Sequence, residues 1–202
     1  MYRTFIKRFL DLCLALVGIV MASPILIIIA ILIKTDSPGP VFYRGVRVGK
    51  DNKDFRMYKF RTMVVDADKV GASSTPDDDP RITRVGKTLR RYKLDELPQL
   101  INILAGHMSF VGPRPQVRWA VERYSDEEKQ ILQLRPGITD YASLQFSNEG
   151  EILRGSTDPD KDYFEKIHPE KMRLSLQYLE EVSLRTDLKI LGMTIRKVVL
   201  GN

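Results

Sequence analysis

The stretch FLDLCLALVGIVMASPILIIIAILI, residues 9–33, decides how the chain is organised because it is an almost unbroken apolar run. Asp11 is its only charged residue, and the pair Ser23-Pro24 lies at its middle. A helix of roughly 20 apolar residues is long enough to cross the hydrocarbon core of a bilayer. Proline removes a backbone donor and clashes with the preceding turn. The run therefore predicts a membrane helix with a bend near Ser23-Pro24.

Three arrangements of this run are open. A secretory signal peptide fits the basic start and the small residues Ala22-Ser23, but its apolar core is about 7–15 residues long, shorter than this run. A single spanning helix fits the length. A re-entrant helix-break-helix over residues 1–36 is favoured, because basic flanks tend to stay in the cytoplasm and this run has one at each end. These flanks are Arg3, Lys7 and Arg8 before the run and Lys34, Arg44 and Arg47 after it.

The rest of the chain, residues 37–202, is long enough for one domain with its own core. The net charge of +6 suits an anionic partner such as lipid headgroups, nucleic acid or a phosphorylated substrate. The single cysteine, Cys13, excludes a disulfide within the chain, and the two histidines, His107 and His168, lack the spacing of metal ligands. Catalysis would therefore run on carboxylates and basic groups, with or without a hard, oxygen-ligated cation.

Periodicity and turn residues divide this domain into short elements. Alternating apolar residues on either side of 49–52 predict two short strands around a turn. A polar stretch at 71–80 predicts an exposed loop. Helical spacing covers 82–92, 95–105, 116–134 and 169–200, with a candidate break near Thr186. The predicted fold class is α+β, mostly helical, with an N-terminal re-entrant membrane helix-break-helix and a small β element.

The segment RITRVGKTLRRYKLDELPQL, residues 81–100, carries the densest charge pattern. Its basic residues at three- and four-residue spacing would share one face of a helix. Such a face is either solvated, in contact with lipid headgroups, or a cradle for phosphate. The four residues are Arg81, Arg84, Lys87 and Arg91.

Two adjacent carboxylates, Asp95 and Glu96, follow this basic segment directly. Asp95 is well placed as a helix N-cap, with Pro98 in the first turn. Alternatively the pair divides catalytic work, since one carboxylate can attack phosphorus while the other holds a divalent metal ion. Magnesium suits carboxylate ligands and neutralises diphosphate oxygens.

Five features, in order along the chain, carry a resemblance to a known family. They are the apolar run with Ser23-Pro24, YKFRTM (58–63), LDELPQL (94–100), MSFVGPRP (108–115) and RPGIT (135–139). Together they resemble the bacterial monotopic phosphoglycosyl transferases, in the small form that contains essentially the catalytic core. The resemblance implies transfer of a sugar phosphate from a UDP-sugar to polyprenol (undecaprenyl) phosphate with release of UMP, the first membrane step of bacterial glycan assembly. It also implies a monotopic protein on the cytoplasmic face of the bacterial inner membrane.

The resemblance further implies roles for the acidic pair: Asp95 as the nucleophile that forms a phosphosugar-enzyme intermediate, and Glu96 as the ligand of Mg²⁺. It also implies that residues 37–202 form the catalytic domain at the membrane interface, and that the membrane segment is re-entrant and broken at the Ser-Pro pair.

Five basic residues are candidates for substrate binding. Arg114 lies between Pro113 and Pro115, which restrict its backbone. A guanidinium mounted so stiffly suits bidentate phosphate binding, and the alternative is a surface arginine that stabilises its turn. Arg90 is expected to contact phosphate from the basic helix. The remaining candidates are Lys59 and Arg61, for the active site or lipid, and Arg135, for the nucleotide or for its own turn.

The segment DYASLQFSNEGEIL, residues 140–153, departs from the pattern of many family members, so the sugar is left open. Asp140, Asn148 and Glu149 are either sugar contacts or part of an exposed polar loop. An alternative function is a non-enzymatic, membrane-anchored adaptor that binds anionic lipid. Nucleic acid is disfavoured as a partner because no recognised motif is present. The C-terminal helical stretch either packs internally or forms a homodimer.

Overall fold

The computed structural model describes residues 2–200, except for the side chains of Asp68 and Val199. A π-helical turn, Tyr2–Ile6, leads into the long helix α1, Lys7–Asp36. The predicted α+β class, mostly helical with a small β element and an apolar N-terminal helix, is confirmed. The other elements are β1 (Phe42–Val48), β2 (Asp54–Phe60), α2 (Arg84–Arg91), α3 (Gln99–Leu104), β3 (Ser109–Val111), α4 (Arg118–Val121), β4 (Gly137–Thr139), α5 (Tyr141–Gln145), α6 (Glu149–Ile152), α7 (Pro159–Lys166), α8 (His168–Glu181) and α9 (Leu184–Leu200).

One face of α1 packs against the rest of the chain along the whole helix. In its first half, Ala15 belongs to a core cluster with Leu100 and Ile103 of α3. In its second half, Ile29 and Ile33 belong to another cluster, formed with β2 and α2. The buried and half-buried positions recur at helical spacing, at Asp11, Ala15, Gly18, Ile19, Ala22, Leu26, Ile29 and Ile33.

The opposite face of α1 is apolar and exposed. Phe9, Met21 and Ile27 are among its side chains, with exposed fractions of 66%, 77% and 62%. With its π-helical start, this is the one helix of the described chain that is long and apolar enough to cross a membrane. Its two faces therefore have different partners: the domain on one side and an apolar environment on the other.

The segments before and after Ser23-Pro24 form one continuous helix rather than two helices separated by a gap. Pro24 has no N–H to donate to the carbonyl of Val20, four residues earlier. The hydroxyl of Ser23 donates to this same carbonyl at 2.8 Å. Because the serine replaces the missing donor, the helix passes through the proline without an unpaired carbonyl. The bend at this pair stays a prediction.

The predicted strands around 49–52 form an antiparallel hairpin in which Phe42 of β1 pairs with Phe60 of β2. Helix α3 is fastened to this hairpin by Asn102. Its Oδ1 accepts from the N–H of Tyr58 and its Nδ2 donates to the carbonyl of Arg56, both at 2.8 Å. This attachment positions the end of β2, and with it Lys59, beside the chain that precedes α3.

A second, parallel pair of strands was not predicted. Ser109 of β3 pairs with Gly137 of β4. The strands approach so closely that a Cβ atom on Gly137 would lie 2.1 Å from the backbone nitrogen of Gly112. Gly112 donates to the carbonyl of Thr139 at 3.0 Å. The segments 108–115 and 135–139 are thus two neighbouring strands, and their pairing fixes the start of the loop that carries Arg114.

Two predicted helices are divided in the structure. The 116–134 stretch contains α4 and a 3-10 helix, Glu128–Gln133, because Ser125 and Glu128 exchange backbone-to-side-chain hydrogen bonds that start a new helix. The 169–200 stretch divides into α8 and α9 slightly before Thr186, where the Ser183 hydroxyl accepts from the N–H of Thr186 at 3.2 Å. Helix α9 packs internally through Ile190. The homodimer stays a prediction.

Candidate active site

Asp95 and Glu96 lie in a 3-10 turn, Leu94–Glu96, between α2 and α3. Lys93, in the left-handed conformation with φ of 55°, ends the preceding segment and reverses the chain into this turn. The alternative in which Asp95 caps a helix is excluded, because α3 begins only at Gln99, with Pro98 as its N-cap and no side-chain cap. The carboxylate of Asp95 therefore does not cap a helix.

Glu96 is held by two cations. Lys59 Nζ donates to its Oε1 at 2.9 Å. Arg114 contacts both oxygens, through Nη1 to Oε2 at 3.2 Å and through Nη2 to Oε1. Burial by itself would raise the pKa of Glu96, but the charges and hydrogen bonds of Arg114 and Lys59 outweigh burial and hold this pKa well below its usual value. Glu96 is therefore an ion-paired carboxylate.

Asp95 is buried, with 6% of its surface exposed, yet its carboxylate accepts no hydrogen bond within the described chain. Lys59 Nζ lies 3.9 Å from its Oδ2. Burial raises the pKa of Asp95 and the Glu96 charge adds to this, while Lys59, Arg90 and Arg114 oppose it. Neighbouring carboxylates with opposite pKa shifts are a pattern of acid–base and nucleophilic sites.

Arg90, in the last turn of α2, faces this acidic pair. Its half-buried guanidinium acts electrostatically on Asp95, Asp77 and Asp79, and burial lowers its pKa. It forms no ion pair within 4.0 Å and donates no side-chain hydrogen bond among the residues described, so its donors are available for a ligand oxygen. The expectation that Arg90 contacts phosphate stays a prediction.

The predicted four-residue basic face is not formed. Arg81 lies before α2, where its side chain bonds Asp79, with Nε 2.9 Å from Oδ1. Arg84, Lys87 and Arg91 lie on α2 and are exposed to solvent. The helix begins later than predicted because the Thr83 hydroxyl accepts from the N–H of Gly86 at 3.0 Å. Arg90, the α2 residue whose charge acts on Asp95, is half-buried and is not one of these four residues.

Two other predicted substrate residues lie apart from the acidic pair. Arg61 donates to the carbonyls of Ser37 and Pro38, both at 2.7 Å, and so caps the C-terminal end of α1. Arg135 donates through Nε to the carbonyl of Gly106 at 3.0 Å, behind α3. The structure thus brings Lys59, Arg90 and Arg114 to Asp95 and Glu96, and gives Arg61 and Arg135 other contacts.

A second polar cluster borders Arg114. Lys171 on α8 is buried and forms an ion pair with Glu149, and the Glu149 charge in turn acts on Arg114. Asp140 is fully buried and accepts from the N–H of Ser143 at 2.7 Å, so it caps α5 and is not part of an exposed loop. Asn148 is exposed. Sequence reasoning missed Lys171, although a lysine within the apolar stripe of α8 was a signal of a buried charge.

A profile of the family described as bacterial sugar transferase matches residues 2–201. The chain therefore belongs to the bacterial sugar transferase family.

Three relatives are similar over nearly the whole chain. UDP-N-acetylgalactosamine-undecaprenyl-phosphate N-acetylgalactosaminephosphotransferase of Aeromonas hydrophila is 38% identical over 200 residues, covering 98% of this chain and 44% of the relative. UDP-glucose:undecaprenyl-phosphate glucose-1-phosphate transferase of Escherichia coli (strain K12) is 40% identical over 200 residues, covering 95% and 40%. Exopolysaccharide production protein PSS of Rhizobium leguminosarum bv. phaseoli is 38% identical over 201 residues, covering 94% and 93%. The chain thus spans less than half the length of the first two.

Proposed function

We propose that this protein is a phosphoglycosyl transferase that moves a sugar 1-phosphate from a UDP-sugar to polyprenol (undecaprenyl) phosphate and releases UMP. The observation that carries the proposal is the contrast between two adjacent carboxylates. Both carboxylate oxygens of Glu96 accept hydrogen bonds from Arg114 or Lys59, and Oε2 accepts only one, whereas Asp95 accepts none in the described chain. A carboxylate nucleophile needs an oxygen that is free to form a new bond. The names of the relatives above support a UDP-sugar donor and an undecaprenyl phosphate acceptor.

In the first step, a carboxylate oxygen of Asp95 attacks the phosphorus that bears the sugar. The bond from this phosphorus to the bridging oxygen of the diphosphate breaks, and UMP leaves with that oxygen. The sugar phosphate is then attached to Asp95 as an acyl phosphate. In the second step, an oxygen of polyprenol phosphate attacks the same phosphorus, the bond to Asp95 breaks, and polyprenyl diphosphate sugar is released. The carboxylate is restored, so no net proton is needed from the protein.

The three cations near the pair would bind and orient the phosphates. Arg90 has guanidinium donors available, and Lys59 lies 3.9 Å from the nucleophile, so both can contact oxygens of the group being transferred. Two prolines restrict the backbone of Arg114, and its contact with Glu96 fixes the guanidinium group. This arrangement preorganises positive charge where negative charge accumulates on phosphorus, without a large rearrangement of the protein.

A magnesium ion fits the donor chemistry of this site. The described residues hold no group of three or more acidic, cysteine or histidine side chains that would form a complete metal site. Magnesium in enzymes of phosphate chemistry is commonly bound by one or two carboxylates together with substrate phosphates and water. We propose Glu96 as its protein ligand, with charge neutralisation of the diphosphate as the chemistry that the ion supplies.

We propose further that α1 lies in the cytoplasmic leaflet of the bacterial inner membrane without crossing it. Packing of the helix against the domain at Ala15 and again at Ile33 supports this arrangement. A crossing helix would have to leave the domain, whereas this one stays with it from end to end. Active-site access from the interface suits a polyprenol substrate, whose chain remains in the bilayer. In single-cysteine variants at positions 4 and 43, labelling from one side of the membrane is expected at both; labelling from opposite sides would contradict the model.

The covalent intermediate provides a direct test of the reaction. The full chain in nanodiscs is incubated with a panel of UDP-sugars and Mg²⁺, without acceptor, and its intact mass is measured. One sugar is expected to add the mass of a single sugar phosphate and release one equivalent of UMP. Asp95→Asn should show neither, while Asp54→Asn, an exposed aspartate on β2, should show both. An adduct and UMP release in Asp95→Asn would identify another nucleophile, and neither signal in the wild type with any UDP-sugar would favour the adaptor that binds anionic lipid.

A further inference from the structure

A cavity lies at the N-terminal end of α1, and its lining does not include Asp95 or Glu96. Its volume is about 470 Å³. Its lining includes Asp11, whereas the catalytic turn packs, through Leu94, near Ile33 at the other end of the helix. Twenty-two helical residues correspond to about 33 Å along the axis. The cavity is therefore separate from the site proposed above.

Most of the charged residues in the cavity wall are basic. It brings together residues from α1, the hairpin turn and the segment before β4. Two acidic residues, Asp11 and Asp51, also line it. The basic residues are Arg3, Lys7, Arg8, Lys50 and Arg135.

Two of these cations are fixed by neutral acceptors. Arg8 donates through Nη1 to the carbonyl of Ile103 at 2.6 Å, and Arg135 donates through Nε to that of Gly106 at 3.0 Å. Both guanidinium groups are thereby anchored at the end of α3, and their charges repel each other. Neither forms an ion pair within 4.0 Å in the described part of the chain. Two rigidly mounted positive charges thus share a cavity, and no carboxylate of the described chain lies within 4.0 Å of either.

The acidic residues of the cavity form no ion pair with these two arginines. Asp11 accepts from the backbone N–H of Phe110 at 3.1 Å, and its charge acts on Arg8 and Lys7 only from beyond ion-pair distance. Asp51 lies beside Lys50, at 3.9 Å, and both are exposed. Lys7 is paired with Asp187 from α9. Arg3, Arg8 and Arg135 therefore remain as three cations that no carboxylate of the described chain neutralises within 4.0 Å.

We propose that this cavity binds a phosphate group, independently of the catalytic pair. Planar guanidinium groups bind phosphate oxygens with two parallel donors, and the terminal nitrogens of Arg135 donate to no acceptor in the described chain. The volume lies within the range of about 300–1,000 Å³ that small-molecule sites occupy. A membrane lipid headgroup is the favoured source, because the exposed Phe5 and Phe9 begin the apolar surface of α1 beside the cavity.

The test uses variants that keep the anchored arginines. Arg3→Gln/Lys50→Gln removes two exposed cations from the cavity, and Lys161→Gln/Lys166→Gln removes two exposed cations from α7 as the matched control. A third variant, Gln133→Glu, places a carboxylate in the cavity lining without removing any contact found in the structure. Each full-length protein is prepared in phosphatidylcholine nanodiscs. Its thermal unfolding midpoint is measured with added phosphatidylglycerol in one arm and with inorganic phosphate at constant ionic strength in the other.

Wild-type protein and the α7 control should show equal upward shifts of the midpoint. The cavity double variant should bind with about one tenth of the wild-type apparent affinity, or less, since each basic residue near an anionic lipid surface contributes appreciably to the binding free energy. Gln133→Glu should be weakened as well. A difference in the phosphatidylglycerol arm identifies a lipid headgroup, and a difference in the phosphate arm a soluble phosphate. Equal shifts in all four proteins, or none in the wild type, would overturn the proposal. Because the readout does not involve sugar transfer, a failure of the catalytic mechanism would leave it unaffected.

Discussion

Arg114 contacts both carboxylate oxygens of Glu96, and two prolines restrict the backbone on either side of this arginine. A lysine at position 114 would keep the charge but could not form the two-pronged contact. Arg114→Lys is therefore expected to lower kcat/KM by roughly 10- to 100-fold, measured as UMP release. Arg118→Lys, on the following helix, is the control and should retain activity near the wild-type level. Wild-type activity in Arg114→Lys would show that charge alone suffices.

The pH dependence should report on Asp95. The nucleophile must be deprotonated, so kcat/KM should fall as the pH decreases through the pKa of Asp95. Burial raises this pKa above the usual 3.8, so the loss should occur at higher pH than for an exposed aspartate. Arg90 opposes the shift, and Arg90→Gln should therefore move the acid limb of the profile to still higher pH. Arg84→Gln, exposed on the same helix, should leave the limb in place. An unmoved limb in Arg90→Gln would argue against Asp95 as the titrating nucleophile.

The Ser23 hydroxyl should matter only while Pro24 is present. Ser23→Ala leaves the carbonyl of Val20 without a donor and is expected to cost about 1 kcal/mol of unfolding free energy. In a Pro24→Ala background the backbone N–H of residue 24 can bond this carbonyl, so the same change should cost little. A double-mutant cycle of thermal unfolding in nanodiscs measures the coupling. If Ser23→Ala lowers the free energy of unfolding equally in both backgrounds, the serine hydroxyl does not compensate for the proline.

Arg61 should affect stability more than chemistry. Its guanidinium binds the carbonyls that end α1, so Arg61→Gln is expected to lower the free energy of unfolding by about 2 kcal/mol. Activity per folded molecule should stay within a few-fold of wild type. Arg56→Gln, exposed on the same hairpin, is the control for loss of a charge. A large rise in KM with unchanged stability would show that Arg61 binds substrate, as expected from its position in the YKFRTM motif.

The local elements could be predicted because their signals lie within short windows. Alternating apolar residues identified β1 and β2, and helical spacing identified α2, α3 and the α8–α9 region. The apolar run likewise identified α1. In each case the side-chain period and the nearby turn residues agree, and no distant contact is needed to decide the structure.

The rest depended on contacts between distant segments. The strands β3 and β4 have three residues each, too few to show a period, and their pairing depends on a close approach between Gly112 and Gly137. Arg61 and Arg135 carry the charge of phosphate ligands, yet backbone carbonyls elsewhere in the fold bind them. The contrast between the acidic residues could not be predicted either, because adjacent residues in a turn look alike until their partners are placed.

Helix α1 supplies Ala15 to one core cluster and Ile29 and Ile33 to another. Removing such a segment is a common way to obtain a water-soluble fragment of a membrane protein. Here, deletion of residues 1–36 would open two parts of the interior and remove the carbonyl of Ile33, to which Arg61 donates at 3.4 Å. The membrane segment is thus a structural component of the globular unit, and a soluble version would require replacement of its outer surface while its inner stripe is kept.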